Sequence, residues 1–114
     1  MSVKLTSRQV GDVTVLDAAG RITLGEGASA FRDAIRDFAA KGNKKLLLNL
    51  GEVSYIDSSG IGEMVSGFTT VTNNGGQLKL VGLSKRVKDL LQITKLYTVF
   101  EVFDDEADAI RSFH

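Results

Sequence analysis

Val53-Ser54-Tyr55-Ile56-Asp57-Ser58-Ser59-Gly60-Ile61-Gly62 is the stretch on which the reading of this chain turns. An apolar run, Leu46-Leu47-Leu48-Asn49-Leu50, places a strand that ends just before it. Beyond it Ile61, Met64, Val65, Phe68 and Val71 recur at helical intervals. The turn between them presents one carboxylate and two hydroxyls at a helix N-terminus. Backbone N–H groups are unpaired there and the dipole favours negative charge. Such a place suits a hydroxyl that will carry a phosphate.

Upstream, Val3 to Val10 and Val13 to Ala19 are β-rich runs around Gly11-Asp12, a two-residue hairpin signal. Gly20 to Gly27 reads as a loop. Ala28, Phe31, Ala34, Ile35, Phe38 and Ala39 then follow helical spacing, with Glu26 ahead of the first turn and Lys41-Gly42 as the stop. The near-continuous apolar character of Leu46 to Leu50 marks a strand covered on both faces. Downstream, Asn73-Asn74-Gly75-Gly76 closes the second helix and Gln77 to Val81 resumes strand character. Ser84 caps a short helix with Val87, Leu90 and Leu91 inward. Thr98 to Phe103 alternates like a last strand. Asp104-Asp105 opens a C-terminal helix with Ala107, Ile110 and Phe113 inward.

The order is a hairpin followed by α-β-α-β-α-β-α. Strands joined through helices run parallel with right-handed crossovers, so the fold class is α/β. The expected sheet is mixed and mostly parallel, with four to five strands, about four helices and an N-terminal β-hairpin. One domain spanning residues 1–114 is expected.

Composition narrows function by exclusion. The 114 residues carry 14 basic and 14 acidic side chains, for a formal net charge of zero. Interleaved charge of this kind lacks the basic stripe of a nucleic-acid binder. Lys44-Lys45 and Lys85-Arg86-Val87-Lys88 read as solvated element ends. Without cysteine there is no disulfide or thiolate nucleophile. No apolar run approaches the ~20 residues that span a bilayer. Met1-Ser2-Val3-Lys4-Leu5 lacks a signal-peptide pattern, so a cytoplasmic protein is expected.

Catalysis fares poorly. The single histidine, His114, ends the sequence and makes a poor platform for a Ser-His-Asp relay. The turn lacks the Gly-x-Ser-x-Gly elbow, and no Ser-x-x-Lys follows either of its serines. One histidine and scattered carboxylates give no metal-ligand spacing. Asp104, Asp105, Glu106 and Asp108 instead complement a helix dipole. Val65 stands where a dinucleotide fingerprint beginning at Gly60-x-Gly62 needs glycine. No enzyme activity, cofactor or metal is expected. The simplest role for Asp57 is an N-cap accepting from the N–H of Ser59 or Gly60. Interior glycines cost ~1 kcal/mol each in a helix, so Gly60, Gly62 and Gly67 suggest close approach, and the first two an exposed docking surface.

The block from Tyr55 to Gly62, followed by Asn74-Gly75-Gly76-Gln77-Leu78-Lys79-Leu80-Val81 and Val87-Lys88-Asp89-Leu90-Leu91, resembles the STAS family, and more closely the bacterial anti-sigma factor antagonists. The likeness runs from Val13-Thr14-Val15 to Ala107-Asp108-Ala109-Ile110. It implies a protein that binds a kinase-type anti-sigma factor and frees a sigma factor. That serine kinase phosphorylates the serine directly after the motif aspartate, which switches binding off, and a metal-dependent phosphatase of the PP2C type reverses it. On this chain the phosphoacceptor is then Ser58, ahead of Ser59. Asp57, Ser59, Gly60, Ile61 and Gly62 adjoin it at the partner surface. The resemblance departs in the neighbouring loop, which is expected to share the partner surface: where many antagonists carry acidic residues, this chain has Arg21 and Thr23. A monomer or weak dimer is expected. The alternative within the family is a constitutive interaction subunit of a lipid-transport or stress-signalling complex without a phospho-switch.

Overall fold

The computed structural model describes residues 3–113, so Met1, Ser2 and His114 lie outside the described residues. The chain runs β1 (Val3–Val10), β2 (Val13–Ile22), α1 (Glu26–Ala40), β3 (Lys45–Ile56), α2 (Ser58–Asn73), β4 (Gln77–Val81), α3 (Lys85–Ile93), β5 (Val102–Phe103) and α4 (Glu106–Arg111). The five strands form one sheet in the order β1-β2-β3-β4-β5. The β1–β2 hairpin is antiparallel and every other pairing is parallel. The mixed, mostly parallel α/β sheet read from the sequence is therefore the observed fold.

The period-two alternation of β3 divides the core. Leu46, Leu48 and Leu50 pack with Phe31, Ile35, Met64 and Leu91 beneath the first three helices. Leu47 points the other way, into a smaller cluster with Val13, Val15, Val81, Ala109 and Phe113 beneath α4. At about 25 cal/mol per Å² of apolar surface, a leucine buried this way contributes roughly 2 kcal/mol. Arg8 on β1 fastens α4 to the hairpin, donating to Asp17 at 2.6 Å and Glu106 at 2.5 Å. That guanidinium holds the Asp17 carboxyl below its ordinary range, against the opposing effect of burial.

Four sequence expectations are corrected. Gly20 does not open a loop: β2 continues to Ile22. Its register against β3 slips between Asp17 and Ala19 and again between Gly20 and Arg21, and Gly20 takes φ +102°. A glycine at positive φ lets a strand bulge and continue rather than end. β3 likewise runs on to Ile56, because Arg21 and Ile22 supply the pairing for Tyr55 and Ile56. The strand expected over Thr98 to Phe103 shrinks to Val102–Phe103. Phe100 is buried instead by an edge-on contact with Phe68, at 5.4 Å between centroids. In α4 the buried alanine is Ala109, and Ala107 is exposed. The Asp105 side chain caps that helix through the N–H of Asp108, and Ile110 and Phe113 face the core as expected.

Candidate functional site: the α2 N-terminus and the Tyr55 groove

Two parallel strands end side by side to make the site. β2 delivers Arg21 opposite Tyr55 and Ile22 opposite Ile56, and α2 starts immediately beyond. Asp57 is the hinge between strand and helix. Its backbone N–H donates to the Ile22 carbonyl at 3.2 Å. Its carboxylate accepts from the Gly60 N–H at 3.0 Å on Oδ1 and from the Leu24 N–H at 2.9 Å on Oδ2. The cap expected of Asp57 is thus present, and a second arm pins the loop after β2. Desolvation pushes the carboxyl up, but the N–H groups of Leu24, Gly60 and Ser59 outweigh it and hold the pKa below the usual 3.8.

Ser58 is the first residue of α2 and is exposed, whereas Ser59 is half-buried. Gly62 is also exposed. Gly60 and Ile61 are not surface groups. Ile61 is buried, and a Cβ at Gly60 would lie 2.5 Å from the Ile22 carbonyl oxygen and 2.6 Å from Ile56 Cγ1. Gly60 is there because the helix crosses the end of β2 at backbone distance, not to offer a bare docking surface. Gly67 has the same office further along, since a Cβ there would meet Ile35 Cδ1 at 2.8 Å.

Arg21 is exposed on the last turn of strand β2 rather than in a loop, and Thr23 is half-buried behind it, its carbonyl accepting from Ala28 at 2.8 Å. The Arg21 guanidinium lies 4.9 Å from the Tyr55 ring centroid. Arg86, on the first turn of α3, lies 5.3 Å from the same ring. Arg86 also lines, with Tyr55, Asp57, Ser58, Asp89 and Ile93, an open groove of about 560 Å³. Sequence reasoning missed Arg86 because the Lys85-Arg86-Val87-Lys88 run looks like any solvated helix start. Only the parallel topology, which sets α3 beside the end of β3, brings it next to residues about thirty positions earlier. It also missed two exposed apolar residues: Ile93, which lines the groove, at 77% exposure, and Leu24, whose N–H reaches Asp57, at 79%.

No group of three or more His, Asp or Glu side chains among the described residues is placed to hold a metal ion. Among the same residues no helix is long and apolar enough to cross a membrane.

Comparison with known proteins places this architecture. The family model of the STAS domain matches residues 4–109. The chain belongs to the STAS domain family. Among curated STAS relatives, the anti-sigma-B factor antagonist of Bacillus subtilis is 32% identical over 102 residues, covering 90% of this chain and 92% of that one. The anti-sigma-B factor antagonist of Listeria monocytogenes is 30% identical over 108 residues, covering 95% and 93%. The crystal structure of an anti-sigma factor antagonist from Mycobacterium paratuberculosis superposes with a TM-score of 0.88 over 98% of this chain and 94% of that one. At 20% identity that last likeness is one of fold.

Proposed function

We propose that this STAS domain is an anti-sigma factor antagonist whose binding is switched by phosphorylation of Ser58. In the unmodified form it binds a kinase-type anti-sigma factor and so frees a sigma factor. The anti-sigma factor's serine kinase activity phosphorylates Ser58 and ends the association, and a PP2C-type phosphatase restores it. The chain itself acts without catalysis, as a cytoplasmic monomer or weak dimer, and residues 1–114 work as one unit. The observation that carries this reading is the exposed Ser58 hydroxyl at the first position of α2, beside a capping Asp57. The names of the curated relatives support it.

The geometry supplies a mechanism. A phosphate at Ser58 adds about −1.5 to −2 charges at a helix N-terminus, which the dipole accommodates, so the fold survives. A docked partner must instead bury a hydrated dianion or give way. A penalty of ~3–4 kcal/mol weakens association a few hundredfold, enough for a switch without rearrangement.

The test pairs two substitutions. Ser58→Ala keeps binding a kinase-type anti-sigma factor from the same organism and takes up no phosphate. Ser58→Asp binds it more weakly at unchanged melting temperature. Incubating the parent with that kinase and ATP adds one phosphate by intact mass, mapped to Ser58. Equal affinity of the two variants overturns the charge mechanism, and phosphate on Ser59 alone overturns the assignment.

A further inference from the structure

We propose that Arg86 is the intramolecular receptor for a phosphate on Ser58, and that this capture removes the cationic surface built around Tyr55. The proposal rests on the Ser58 reading above and adds the regulation of that site. Ser58 and Arg86 line one groove although they sit on different helices. The ionisable groups lining it are Tyr55, Asp57, Arg86 and Asp89. Arg21 on β2 lies against the same ring.

Both carboxylates in the groove are already engaged. Asp57 accepts backbone N–H groups on each oxygen. Asp89 pairs with Lys85 at 3.1 Å along α3. Lys88, the next cation on that helix, is taken by Asp104 at 3.4 Å. Among the described residues Arg86 and Arg21 have no carboxylate partner, and each rests on the face of Tyr55 instead. An exposed cation–π contact is weak beside a charge-assisted bond from guanidinium to phosphate. Arg86 therefore carries a planar fork of unused donors into the groove that Ser58, the hydroxyl proposed to gain three phosphate oxygens, also lines. That difference favours exchanging ring for phosphate, and Arg86 is exposed on the first turn of α3, where its side chain is free to rotate.

The consequence reaches beyond the added anion. With Asp89 paired to Lys85, the two guanidinium groups on Tyr55 outnumber the Asp57 carboxylate and leave a positive excess around that ring, although the chain as a whole is neutral. A phosphate of about −1.5 to −2 held by Arg86 cancels that local charge. Phosphorylation thus takes a positive surface away from the partner as well as presenting a dianion.

The experiment places phosphoserine at position 58 during translation, so it needs neither kinase nor partner. The phosphate is then titrated by ³¹P NMR between roughly pH 4 and pH 8, around its usual second pKa. Arg86→Met should raise that pKa by about half a pH unit or more relative to the parent, and Arg86→Lys should recover part of the difference. Arg36→Met, exposed on α1, should leave it where it is. In the parent, phosphorylation should also move the Arg86 Nε–H signal and the Tyr55 ring protons, a readout that needs no variant. Coincident titrations of the parent and Arg86→Met, an equal rise in Arg36→Met, or unmoved Arg86 and Tyr55 signals would each overturn the proposal. Failure of the kinase to modify Ser58 would instead strike the functional reading and leave this titration standing.

Discussion

Replacing Gly60 by alanine adds a single methyl group at the joint between strand and helix. That methyl would lie 2.5 Å from the Ile22 carbonyl oxygen, 2.6 Å from Ile56 Cγ1 and 2.9 Å from Ile22 Cγ2. Ile22 and Ile56 are fully buried and cannot swing aside. The nearest atom is backbone, and it also accepts the Asp57 N–H. Relief must therefore lift the start of α2 off the end of β2. Overpacking of this kind costs about 1–3 kcal/mol, and weakening the Asp57–Ile22 bond adds about 0.5–1.5 kcal/mol. Removing a helical glycine returns at most ~1 kcal/mol. The net expectation is a loss of about 1–3 kcal/mol. Gly62→Ala is the matched control, because nothing lies within 4 Å of its Cβ position. It should gain up to ~1 kcal/mol. For a domain of about 100 residues 1 kcal/mol moves Tm by roughly 4 °C. The two alanine variants should then melt about 10 °C apart by circular dichroism, Gly60→Ala below the parent and Gly62→Ala at or above it. If Gly60→Ala melts with Gly62→Ala, α2 is not seated on β2 and the site geometry derived from that seating fails.

Asp57→Ala should cost about 1–2 kcal/mol at neutral pH, because the cap and the tie to the Leu24 N–H go together. The Asp57 pKa is depressed on folding, so its contribution is present above the unfolded value near 3.8 and lost as pH falls through the folded value. The parent and variant urea midpoints should therefore converge in acid, and a gap that persists to roughly pH 2 would contradict the assignment. Lys79 is buried, donates to the Ser112 carbonyl at 3.0 Å and hydroxyl at 2.9 Å, and meets Glu101 at 3.1 Å. Lys79→Met should destabilise by about 1–3 kcal/mol and speed amide exchange in α4; unchanged protection there would show that the lysine does not anchor the helix. Lys95 takes φ +61° at the end of α3, where its N–H bonds to Gln92 and that of Leu96 to Leu91. The same closure ends α2 with Gly75 in that position, so Lys95→Gly should raise stability by up to ~1 kcal/mol in urea titration.

What the sequence disclosed and what it hid follow from how local each cause is. The two-sided burial of β3 was legible because Leu46 to Leu50 leave no polar face except at Asn49. The Asp57 cap was legible because an N-cap reaches only three residues ahead. Gly20 misled because a glycine is a stop signal until a partner strand supplies a bulge for it, and that partner is β3, some thirty residues on. Gly60 and Gly62 look alike in sequence, yet one fills a backbone contact with Ile22 and the other faces solvent. The inward reading of Ala107 fails for a similar reason, while those of Ile110 and Phe113 hold. A helix of six residues carries too little periodicity to assign every position, and Ala107, just past the Asp105 cap, is left exposed. Arg86 was hidden altogether, since its meaning depends on Tyr55 and nothing in its own neighbourhood mentions an aromatic ring.

The same geometry constrains where the chemistry of the proposed Ser58 phosphorylation would come from. Asp57 is the carboxylate nearest in sequence and the obvious base for its hydroxyl. Both of its oxygens already accept backbone N–H groups, and those donors hold its pKa below 3.8. A general base works best with a pKa near the operating pH, and this one is displaced away from it. Asp89, the other carboxylate in the groove, is paired with Lys85. Neither groove carboxylate is therefore free to act as a base for the Ser58 hydroxyl. In phosphoryl transfer the base that accepts a substrate hydroxyl's proton can be supplied by the kinase. An exposed serine held rigidly at a capped helix start is then what such an enzyme needs from its substrate. On the proposed Ser58 reading, Asp57→Ala should lower phosphorylation by loosening the turn, and Asp57→Asn, whose single amide oxygen still accepts from one of the Gly60 and Leu24 N–H groups, should retain more of it.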